Sequence, residues 1–369
     1  MKILITGATG FLGKNVAAQL RNMGYQDIYA YTRESTMEDL EHYTKECEFV
    51  FHFAGVNRTT NTEDFKIDNS GLTESLVRLL QTNGNKAPIL FSSSIQVNNN
   101  SPYAESKRFS EMLLHSHSEI NKSSVLIYRL PNLFGKWSKP NYNSVVSTFC
   151  YNIARGKPIH IHDEERIVTL NYIDDVVGEF ISALNYIKDE KCDYYVVPKT
   201  YRISLQKLAD KIKEFKRNRE TLIMPSLASG FDRALYATYL SYIENDKFSY
   251  QLKKQTDERG WLAEFIKSES MGQFFISKTG KGITRGNHWH HTKVEKFLVI
   301  KGEAIIKFRQ VGIDQNIEYK VIGEKPEVVD VPAGYAHSIE NIGEDELITL
   351  FWASEIFNPE KTDTYYMEV

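Results

Sequence analysis

Tyr103 and Lys107 lie four residues apart, a spacing that could support proton transfer. In a helix, the two side chains share one face. A free phenol has a pKa of about 10 and is a poor acid near neutral pH, but a neighbouring ammonium stabilises its phenolate. Tyr103 could then protonate a ketone oxygen. The alternative is an ordinary exposed pair on a helix surface.

An apolar run that ends in three serines, residues 92–94, comes shortly before Tyr103. Parallel sheets present ligands at the carboxyl ends of their strands. We therefore expect Ser94 to hold the carbonyl group that Tyr103 protonates, and Lys107 also to anchor a cofactor ribose. The gap of nine residues leaves Ser92 and Ser93 as alternatives for the catalytic serine.

The glycines in residues 2–13 are spaced three apart at the end of an apolar run. Glycine allows a strand to turn sharply into a helix and to lie against a ligand. Amides and the dipole at a helix N-terminus favour an anion, so this turn predicts a dinucleotide pyrophosphate. The alternative is a strand-turn-helix without a ligand. The predicted cofactor contacts, including a small residue that ends a later strand, are Gly7, Gly10, Phe11, Leu12, Gly13 and Ala54.

Arg33 ends the predicted second strand, residues 27–33, about twenty residues after the glycine turn. A carboxylate at this point would accept a hydrogen bond from the 2′-hydroxyl of NAD, whereas an arginine can pair with the 2′-phosphate of NADP. Arg33 therefore favours NADPH as the cofactor. The alternative is a solvated loop arginine.

Three histidines and a glutamate in the second half of the chain form a candidate metal site. On a strand, His288 and His290 project to the same face and can chelate one ion. Glu295 and His337 complete a set of three nitrogens and one oxygen. The set suits zinc, nickel or ferrous ion, and we expect one divalent metal ion, with zinc as the first choice. A structural metal and a histidine-rich surface hairpin are the alternatives.

The pattern of elements predicts two domains. Up to residue 243, apolar strands alternate with amphipathic helices, including one over residues 64–82, as is typical of a doubly wound parallel sheet. After Asn245 come short strands with period-two alternation and glycine turns. We predict an α/β plus all-β chain, with a Rossmann-type dinucleotide-binding domain over residues 1–243 and an all-β domain over residues 250–369.

Composition restricts the class of protein. Of the 369 residues, 41% are hydrophobic and 25% charged, which is typical of a soluble globular chain. The net charge of −3 argues against a broad nucleic-acid or membrane-surface role. The three widely spaced cysteines suit reduced thiols. No run is as long as a membrane span and the first strand leaves no room for a signal peptide, so we expect a cytoplasmic protein.

Residues 1–243 resemble the extended short-chain dehydrogenase/reductases (SDRs) that act on nucleotide sugars. The resemblance implies an NADP-binding reductase in which Asn132 lies near the substrate diphosphate and Arg166 contacts the phosphates. The second strand lacks the acid of the NAD-binding members. The matching segments are Thr6 to Gly13, Phe91 to Ser94, Tyr103 to Lys107, Arg129 to Gly135 and Tyr172 to Asp175.

The second domain resembles the cupins, which are small double-sheet β-barrels with their ligands inside. This resemblance implies a metal-binding jelly-roll barrel for residues 250–369. One glycine of the pattern is replaced by Pro326. The residues that match the two cupin motifs are Gly282, His288, His290, Glu295, Gly302, Pro332, Gly334, His337 and Asn341.

Segments of the same domain are similar to cupin-fold sugar 3,5-epimerases. In those enzymes two arginines and a glutamate hold a nucleotide diphosphate and a histidine removes a proton beside a ketone; here the corresponding residues are Arg259, Glu264, Arg285 and His288. The epimerases use no metal, and His288 cannot be both a ligand and a free base. The alternative proton carriers are His291, Glu295, Lys296 and Tyr335.

The whole chain resembles bifunctional capsular polysaccharide synthesis enzymes. This resemblance implies C3 epimerisation and NADPH-dependent C4 reduction of a UDP-linked 2-acetamido-2,6-dideoxy-4-hexulose, a 4-keto-6-deoxy-N-acetylhexosamine. The implied product is UDP-2-acetamido-2,6-dideoxy-L-talose, on the way to UDP-N-acetyl-L-fucosamine, and the implied assembly is a homodimer. Because a C4 ketone acidifies the C3 hydrogen and disappears on reduction, epimerisation must come first.

Two alternatives to this function stay open. In one, the chain is a reductase whose cupin is a dimerisation or substrate-holding module with a structural metal. In the other, the chain senses NADPH without turnover. The Ser94, Tyr103 and Lys107 set argues against a sensor, because sensing needs no proton donor.

Overall fold

A computed structural model describes residues 1–56, 61, 65–186 and 191–369 and divides the chain into two compact units. The first unit contains Met1–Lys213 and Leu227–Glu244, and the second contains Glu214–Ser226 and Asn245–Val369. Residues 214–226, which lie inside the predicted first domain, thus belong to the second unit. Backbone pairing accounts for this placement, because the amide of Lys267 donates to the carbonyl of Leu222 and the amide of Met224 donates to the carbonyl of Lys267.

The first unit is built from strands that alternate with helices. Its strands are β1 (Ile3–Thr6), β2 (Ile28–Tyr31), β3 (Phe49–His52), β4 (Ile89–Ser94), β5 (Val125–Leu130), β6 (Asn132–Phe134), β7 (Ile167–Tyr172), β8 (Cys192–Tyr195) and β9 (Tyr201–Ser204). Its helices, the seventh of which continues into the second unit, are α1 (Phe11–Asn22), α2 (Met37–Glu46), α3 (Leu72–Thr82), α4 (Pro102–Asn121), α5 (Val145–Ala154), α6 (Ile173–Tyr186), α7 (Leu205–Thr221) and α8 (Gly230–Leu240).

The main sheet is parallel and has the strand order β2-β1-β3-β4-β5-β8. The chain moves outward from β1 to β2 and then returns to the other side of β1 with β3. This reversal opens a crevice at the carboxyl ends of the strands, where such sheets bind ligands. A smaller sheet joins β6, β7 and β9.

Helices cover both faces of the parallel sheet, which explains why its strands are apolar at consecutive positions. Side chains alternate along a strand, so Ile3 and Ile5 pack with α1 and α6. Leu4 packs on the other face with α2 and α3. The consecutive apolar residues therefore indicate strands that are buried on both faces of the sheet.

The second unit contains two antiparallel sheets. One has the order β10-β11-β12-β19-β14-β17 and the other β16-β15-β18-β13-β20. Alternate residues of both sheets form a common apolar core, which confirms the predicted jelly-roll class. The strands are β10 (Lys254–Asp257), β11 (Gly260–Ser268), β12 (Gly272–Thr279), β13 (Thr284–Trp289), β14 (Glu295–Lys301), β15 (Glu303–Gln310), β16 (Asn316–Ile322), β17 (Val328–Val331), β18 (Tyr335–Asn341), β19 (Leu347–Ala353) and β20 (Tyr365–Tyr366).

The predicted class, an α/β unit followed by an all-β unit, is confirmed, and two local elements differ from their predictions. The helix predicted over residues 64–82 is a π-helical segment, Phe65–Gly71, followed by α3, and Asp64 lies outside the described residues. The second strand ends at Tyr31, so Arg33 lies in the turn that follows. Within the described ranges, no helix is both long and apolar enough to cross a membrane.

Candidate functional site

The glycine turn joins β1 to α1 and lies directly against the end of β3. Gly7 has a φ of +69°, and a Cβ at this residue would approach the amide nitrogen of Ala54 to 2.8 Å. A Cβ at Gly13 would lie 2.3 Å from the carbonyl oxygen of Gly7. Gly10 is the N-cap of α1 and offers no side chain to the first-turn amides, which suits an anion at this helix end.

The remaining predicted cofactor contacts surround this turn. Phe11 and Leu12 form the first turn of α1 and are half-buried against the core of the sheet. Arg33 is exposed in the turn between β2 and α2. Its guanidinium is therefore in solvent near the carboxyl end of β2, where it is available to a ligand and carries no desolvation penalty.

Tyr103 and Ser94 are brought together by the start of α4 and the end of β4. Ser101 caps α4 through a hydrogen bond to the amide of Ala104, which places Tyr103 in the first turn. Burial raises the pKa of Tyr103, while its hydrogen bond with Ser94 acts in the opposite direction. The phenol therefore stays protonated near neutral pH and can donate a proton.

Lys107 lies one turn further along α4, and its side chain is buried. Its ammonium donates to the carbonyl oxygen of Ser92 at 2.9 Å and lies 4.7 Å from the centre of the Phe91 ring. Burial lowers the pKa of Lys107 to about 8, whereas the charge of Glu111 acts to raise it. Lys107 is therefore mostly cationic at neutral pH and close to its titration range.

Strand alternation separates the three serines at the end of β4. The Ser93 hydroxyl donates to Oε1 of Glu111 at 2.5 Å, two helical turns beyond Tyr103 on α4. Glu111 also accepts two hydrogen bonds from Arg129, at 3.0 and 2.6 Å. The Ser94 hydroxyl accepts from the amide of Gln96 at 3.1 Å. This geometry favours Ser94 over Ser93 as the serine that works with Tyr103.

A buried histidine that the sequence reasoning missed connects the strands of this site. The Thr6 hydroxyl accepts from the amides of Phe53 and Ala54, so its own hydrogen faces Nδ1 of His52 at 2.7 Å. His52 then donates from Nε2 to the Thr73 hydroxyl at 2.8 Å. Burial lowers the pKa of His52 to about 3, and the charge of Lys107 acts in the same direction. A histidine inside an apolar strand was the available signal.

Asn69, in the π-helical segment, was also missed. Its side chain accepts from the amide of Val56 at 2.7 Å and donates to the hydroxyl of Ser106 at 2.9 Å. Ser106 in turn donates to the carbonyl oxygen of Tyr103 at 2.8 Å. Asn69 therefore ties the loop after β3 to the first turn of α4.

The two residues expected at the substrate phosphates lie on neighbouring segments of the small sheet. Asn132 begins β6 and pairs with Leu170 of β7. Arg166 immediately precedes β7 and is exposed. The sheet therefore places Asn132 on β6 and Arg166 just before the adjacent strand β7, while their role toward a phosphate stays a prediction.

In the second unit, the fold brings together the four predicted metal ligands. Their nearest nitrogen and oxygen atoms all lie within 4.8 Å of one another. Glu295 lies on β14, His337 on β18 and His288 on β13, with His290 directly after that strand. Asn287, at a φ of +58°, forms a bulge between Gly286 and His288. The bulge and the strand end set the direction of the two neighbouring histidines.

The hydrogen bonds of these histidines leave one nitrogen of each ring for a metal ion. Nδ1 of His290 faces the carbonyl oxygen of Asp363, and Nδ1 of His337 faces that of Tyr335 at 3.3 Å. A carbonyl oxygen only accepts, so both Nδ1 atoms carry the hydrogen. In the described part of the chain, both Nε2 atoms are buried without a hydrogen-bond partner.

The electrostatics of the cluster agree with this donor set. Burial lowers the pKa of His288 to about 4, so its imidazole is neutral. Burial alone would raise the pKa of Glu295, but the imidazoles of His290 and His337 hold it well below its usual range. Neutral imidazoles and an ionised carboxylate are the forms that bind zinc. The residues therefore fit a divalent metal ion.

The epimerase-like residues lie in two places. Arg259 and Arg285 approach the same carboxylate, Asp257, at 2.5 and 4.0 Å. Nε of Arg285 also donates to the hydroxyl of Thr279 at 2.9 Å. Glu264 pairs instead with Lys267 at 2.7 Å. The structure thus groups the two arginines and directs Glu264 to another partner.

The alternative proton carriers differ in where they point. Lys296 lies between two buried residues of β14, is exposed and pairs with Asp330 on the outside of the barrel. His291 is exposed beyond β13. Tyr335 lies two residues before His337 on β18, so both side chains share a face. Among the candidates that are not predicted ligands, Tyr335 is therefore the one that shares a strand face with a ligand.

Two family models cover most of the chain. Residues 3–197 match the NAD dependent epimerase/dehydratase family. Residues 255–365 match the polysaccharide biosynthesis C-terminal domain. The two matches correspond to the parallel-sheet unit and the barrel.

Relatives cover the chain from end to end. It is 43% identical over 369 residues to the UDP-2-acetamido-2,6-beta-L-arabino-hexul-4-ose reductase of Pseudomonas aeruginosa, covering 100% of this chain and 99% of that protein. The crystal structure of the capsular polysaccharide assembling protein CapF from Staphylococcus aureus superposes with a TM-score of 0.93 at 44% identity and covers 100% of both chains. WbmF of Bordetella bronchiseptica, solved with NAD⁺, matches 64% of this chain and 91% of its own at 18% identity and a TM-score of 0.55, which shows a shared fold alone.

The first test concerns the predicted ligand cluster. Replacing His337 by alanine removes a buried nitrogen donor, and we expect zinc affinity to fall at least about 10-fold. Competition with a chromophoric chelator measures this affinity. His291→Ala removes an exposed imidazole from the same barrel and should bind zinc like the parent chain. Equal affinities for the parent and His337→Ala would contradict the assignment.

Proposed function

The chain belongs to the CapF family of capsular polysaccharide assembling proteins, and from this premise we propose that it is a two-activity sugar-nucleotide enzyme. Its first unit reduces the C4 ketone of a UDP-linked sugar with NADPH. Its second unit epimerises C3 of the same sugar beforehand. The observation that carries the proposal is the set of Ser94, Tyr103 and Lys107 at the carboxyl end of β4.

Proton delivery to the substrate is the task of Tyr103. NADPH, when bound, supplies the hydride that adds to C4. Tyr103 donates its phenolic proton to the oxygen on that carbon, so the ketone becomes a secondary alcohol and the charges balance. Ser94 holds the carbonyl oxygen within reach of the phenol. Lys107, one helical turn further along α4, would stabilise the phenolate that remains through the charge of its ammonium.

The choice of NADPH rests on Arg33. The family model is named for NAD, and WbmF was solved with NAD⁺. In this chain the exposed guanidinium of Arg33 follows the second strand, where a 2′-phosphate would lie. A bidentate arginine–phosphate pair would favour the phosphorylated cofactor.

We propose that the barrel removes and returns the C3 proton. The C4 ketone acidifies this hydrogen, and His288, His290, Glu295 and His337 would hold a divalent metal ion. Such an ion, when bound, polarises the carbonyl and stabilises enolate charge. Tyr335 is the proposed proton carrier, and Arg259 and Arg285 would bind the diphosphate.

The proposed substrate is UDP-2-acetamido-2,6-dideoxy-4-hexulose, and the proposed product is the L-talose sugar nucleotide that leads to UDP-N-acetyl-L-fucosamine. The name of the Pseudomonas aeruginosa relative supports a UDP-linked hexul-4-ose. A cytoplasmic homodimer remains part of the proposal through the family resemblance.

A second candidate function is a reductase whose barrel carries only a structural metal. It is favoured by one observation, that all four ligands come from the protein, as in closed structural zinc sites. Catalytic zinc sites usually keep one position open. Exchange at C3 separates the two functions.

The reductase is tested by the oxidation of NADPH in the presence of the UDP-4-keto sugar. Tyr103→Phe removes the proton donor and should lower kcat at least about 100-fold. Ser94→Ala should lower kcat about 100-fold, because a donor to the reacting oxygen is lost. Ser93→Ala is the matched control and should cost much less. A parental rate in Tyr103→Phe would contradict the mechanism.

Cofactor choice is tested with Arg33→Ala. Loss of a charge-assisted bond worth about 1.5–3 kcal/mol should raise the KM for NADPH roughly 10- to 100-fold and leave the KM for NADH nearly unchanged. Arg21→Ala removes an exposed arginine from the end of α1 and serves as the control. Equal effects of Arg33→Ala on both cofactors would show that Arg33 does not contact the 2′-phosphate.

The epimerase is tested by deuterium uptake at C3 from heavy water, followed by NMR without NADPH. We expect the parent chain to exchange this hydrogen, and Tyr335→Phe to slow the exchange at least about 100-fold. Tyr319→Phe changes an exposed tyrosine of β16 and should exchange at the parental rate. An absence of exchange in the metal-loaded parent chain would favour the structural role of the barrel.

A further inference from the structure

The segment 363–369 runs alongside β13, the strand that carries His288. Within it, β20 pairs with β13, opposing Tyr366 to His288 and Tyr365 to Trp289. The amide of Met367 donates to the carbonyl of Asn287 at 3.0 Å, at the bulge of β13. The segment therefore forms the sheet edge beside the predicted metal cluster.

Asp363 is the anchor of this segment. Its carboxylate accepts hydrogen bonds from three consecutive amides, those of His291, Thr292 and Lys293, at 2.8 to 3.0 Å. The hydroxyl of Thr292 adds a fourth bond at 3.1 Å. One carboxylate thus organises the whole loop that follows His290, which joins β13 to β14.

The backbone of the same residue determines the state of His290. The carbonyl oxygen of Asp363 accepts from Nδ1 of His290, which directs the Nε2 lone pair of that ring toward Glu295 at 3.6 Å. Without this acceptor the hydrogen could move to Nε2, and the ring could also rotate. Partners that accept from the non-coordinating nitrogen of a histidine orient the ring and raise its affinity for metal.

We propose that Asp363 is a positioning residue for the metal centre: its carboxylate fastens the 363–369 segment to the loop 291–293, so that its carbonyl holds His290 in the metal-binding tautomer. This inference rests on the metal site of the proposed function. It adds Asp363, a residue distant in sequence from the four ligands, as a residue on which metal occupancy of the site depends.

The test compares zinc affinity in full-length chains by competition with a chromophoric chelator. In Asp363→Ala the carboxylate is lost while the backbone carbonyl remains without its anchor, and we expect the dissociation constant to rise about 10- to 100-fold. Glu360→Ala removes an exposed carboxylate three residues earlier and should keep the parental affinity. Asp363→Asn retains one carbonyl oxygen and should lie between the two.

A second measurement separates positioning from general stability. Cobalt(II), bound in place of zinc, has a visible spectrum that reports the number and geometry of its ligands. We expect Asp363→Ala to change this spectrum while the circular dichroism of the metal-free chain stays parental. If Asp363→Ala does not fold, the same comparison with Asp363→Asn decides.

The outcomes distinguish this inference from the proposed function. Weaker zinc binding and an altered cobalt spectrum in the Asp363 variants would support it. Parental affinity and spectrum in Asp363→Ala would overturn it and leave the metal centre intact. A parent chain that binds no zinc or cobalt would overturn the metal centre and the positioning role together.

Discussion

The buried ammonium of Lys107 is the constraint around which the reductase unit is arranged. A charge taken out of water must find partners, because desolvation of an unpaired cation is costly. Lys107 donates to the carbonyl oxygen of Ser92, lies over the ring of Phe91 and is near the carboxylate of Glu111. Each of these partners is on β4 or α4, so the charge joins the two elements that carry Ser94 and Tyr103.

Hydrogen bonds among the surrounding buried polar groups hold the elements around Lys107 together. His52 is neutral, since burial and the charge of Lys107 both lower its pKa, and it joins Thr6 of β1 to Thr73 of α3. Asn69 ties the loop after β3 to α4 through Ser106. Buried networks of this kind hold a site rigid when every member is paired.

The barrel presents the opposite electrostatic case, a buried carboxylate among imidazole rings. Glu295 is surrounded by three imidazoles, two of which turn their free nitrogen toward it. A cation placed there would pair with the carboxylate and use the nitrogen atoms that lack other partners. Each unit therefore buries one charged side chain among different partners. The ammonium of Lys107 contacts a backbone carbonyl and an aromatic ring, and the carboxylate of Glu295 lies among histidines.

Local sequence determined much of this protein. The hydrophobic periodicity and the glycine turn predicted the parallel sheet and the all-β unit. A strand that is buried on both faces has consecutive apolar residues, whereas a strand buried on one face alternates apolar and polar residues. The Tyr103 and Lys107 spacing follows from the geometry of one helix, whereas His288 lies on β13 and His290 directly after it. Sequence alone did not decide whether Ser93 or Ser94 contacts Tyr103, because this depends on how β4 is oriented relative to α4.

Tertiary structure alone decided the contacts between residues far apart in the chain. Asp363 meets the loop after His290 from more than 70 positions away, and Asn69 meets Val56 and Ser106 from 13 and 37 positions away. Such contacts depend on strand pairing and on the hydrogen-bond needs of buried groups, which no local pattern records. Sequence thus determined the elements and the residue types of both sites, and packing decided which partner each side chain finds.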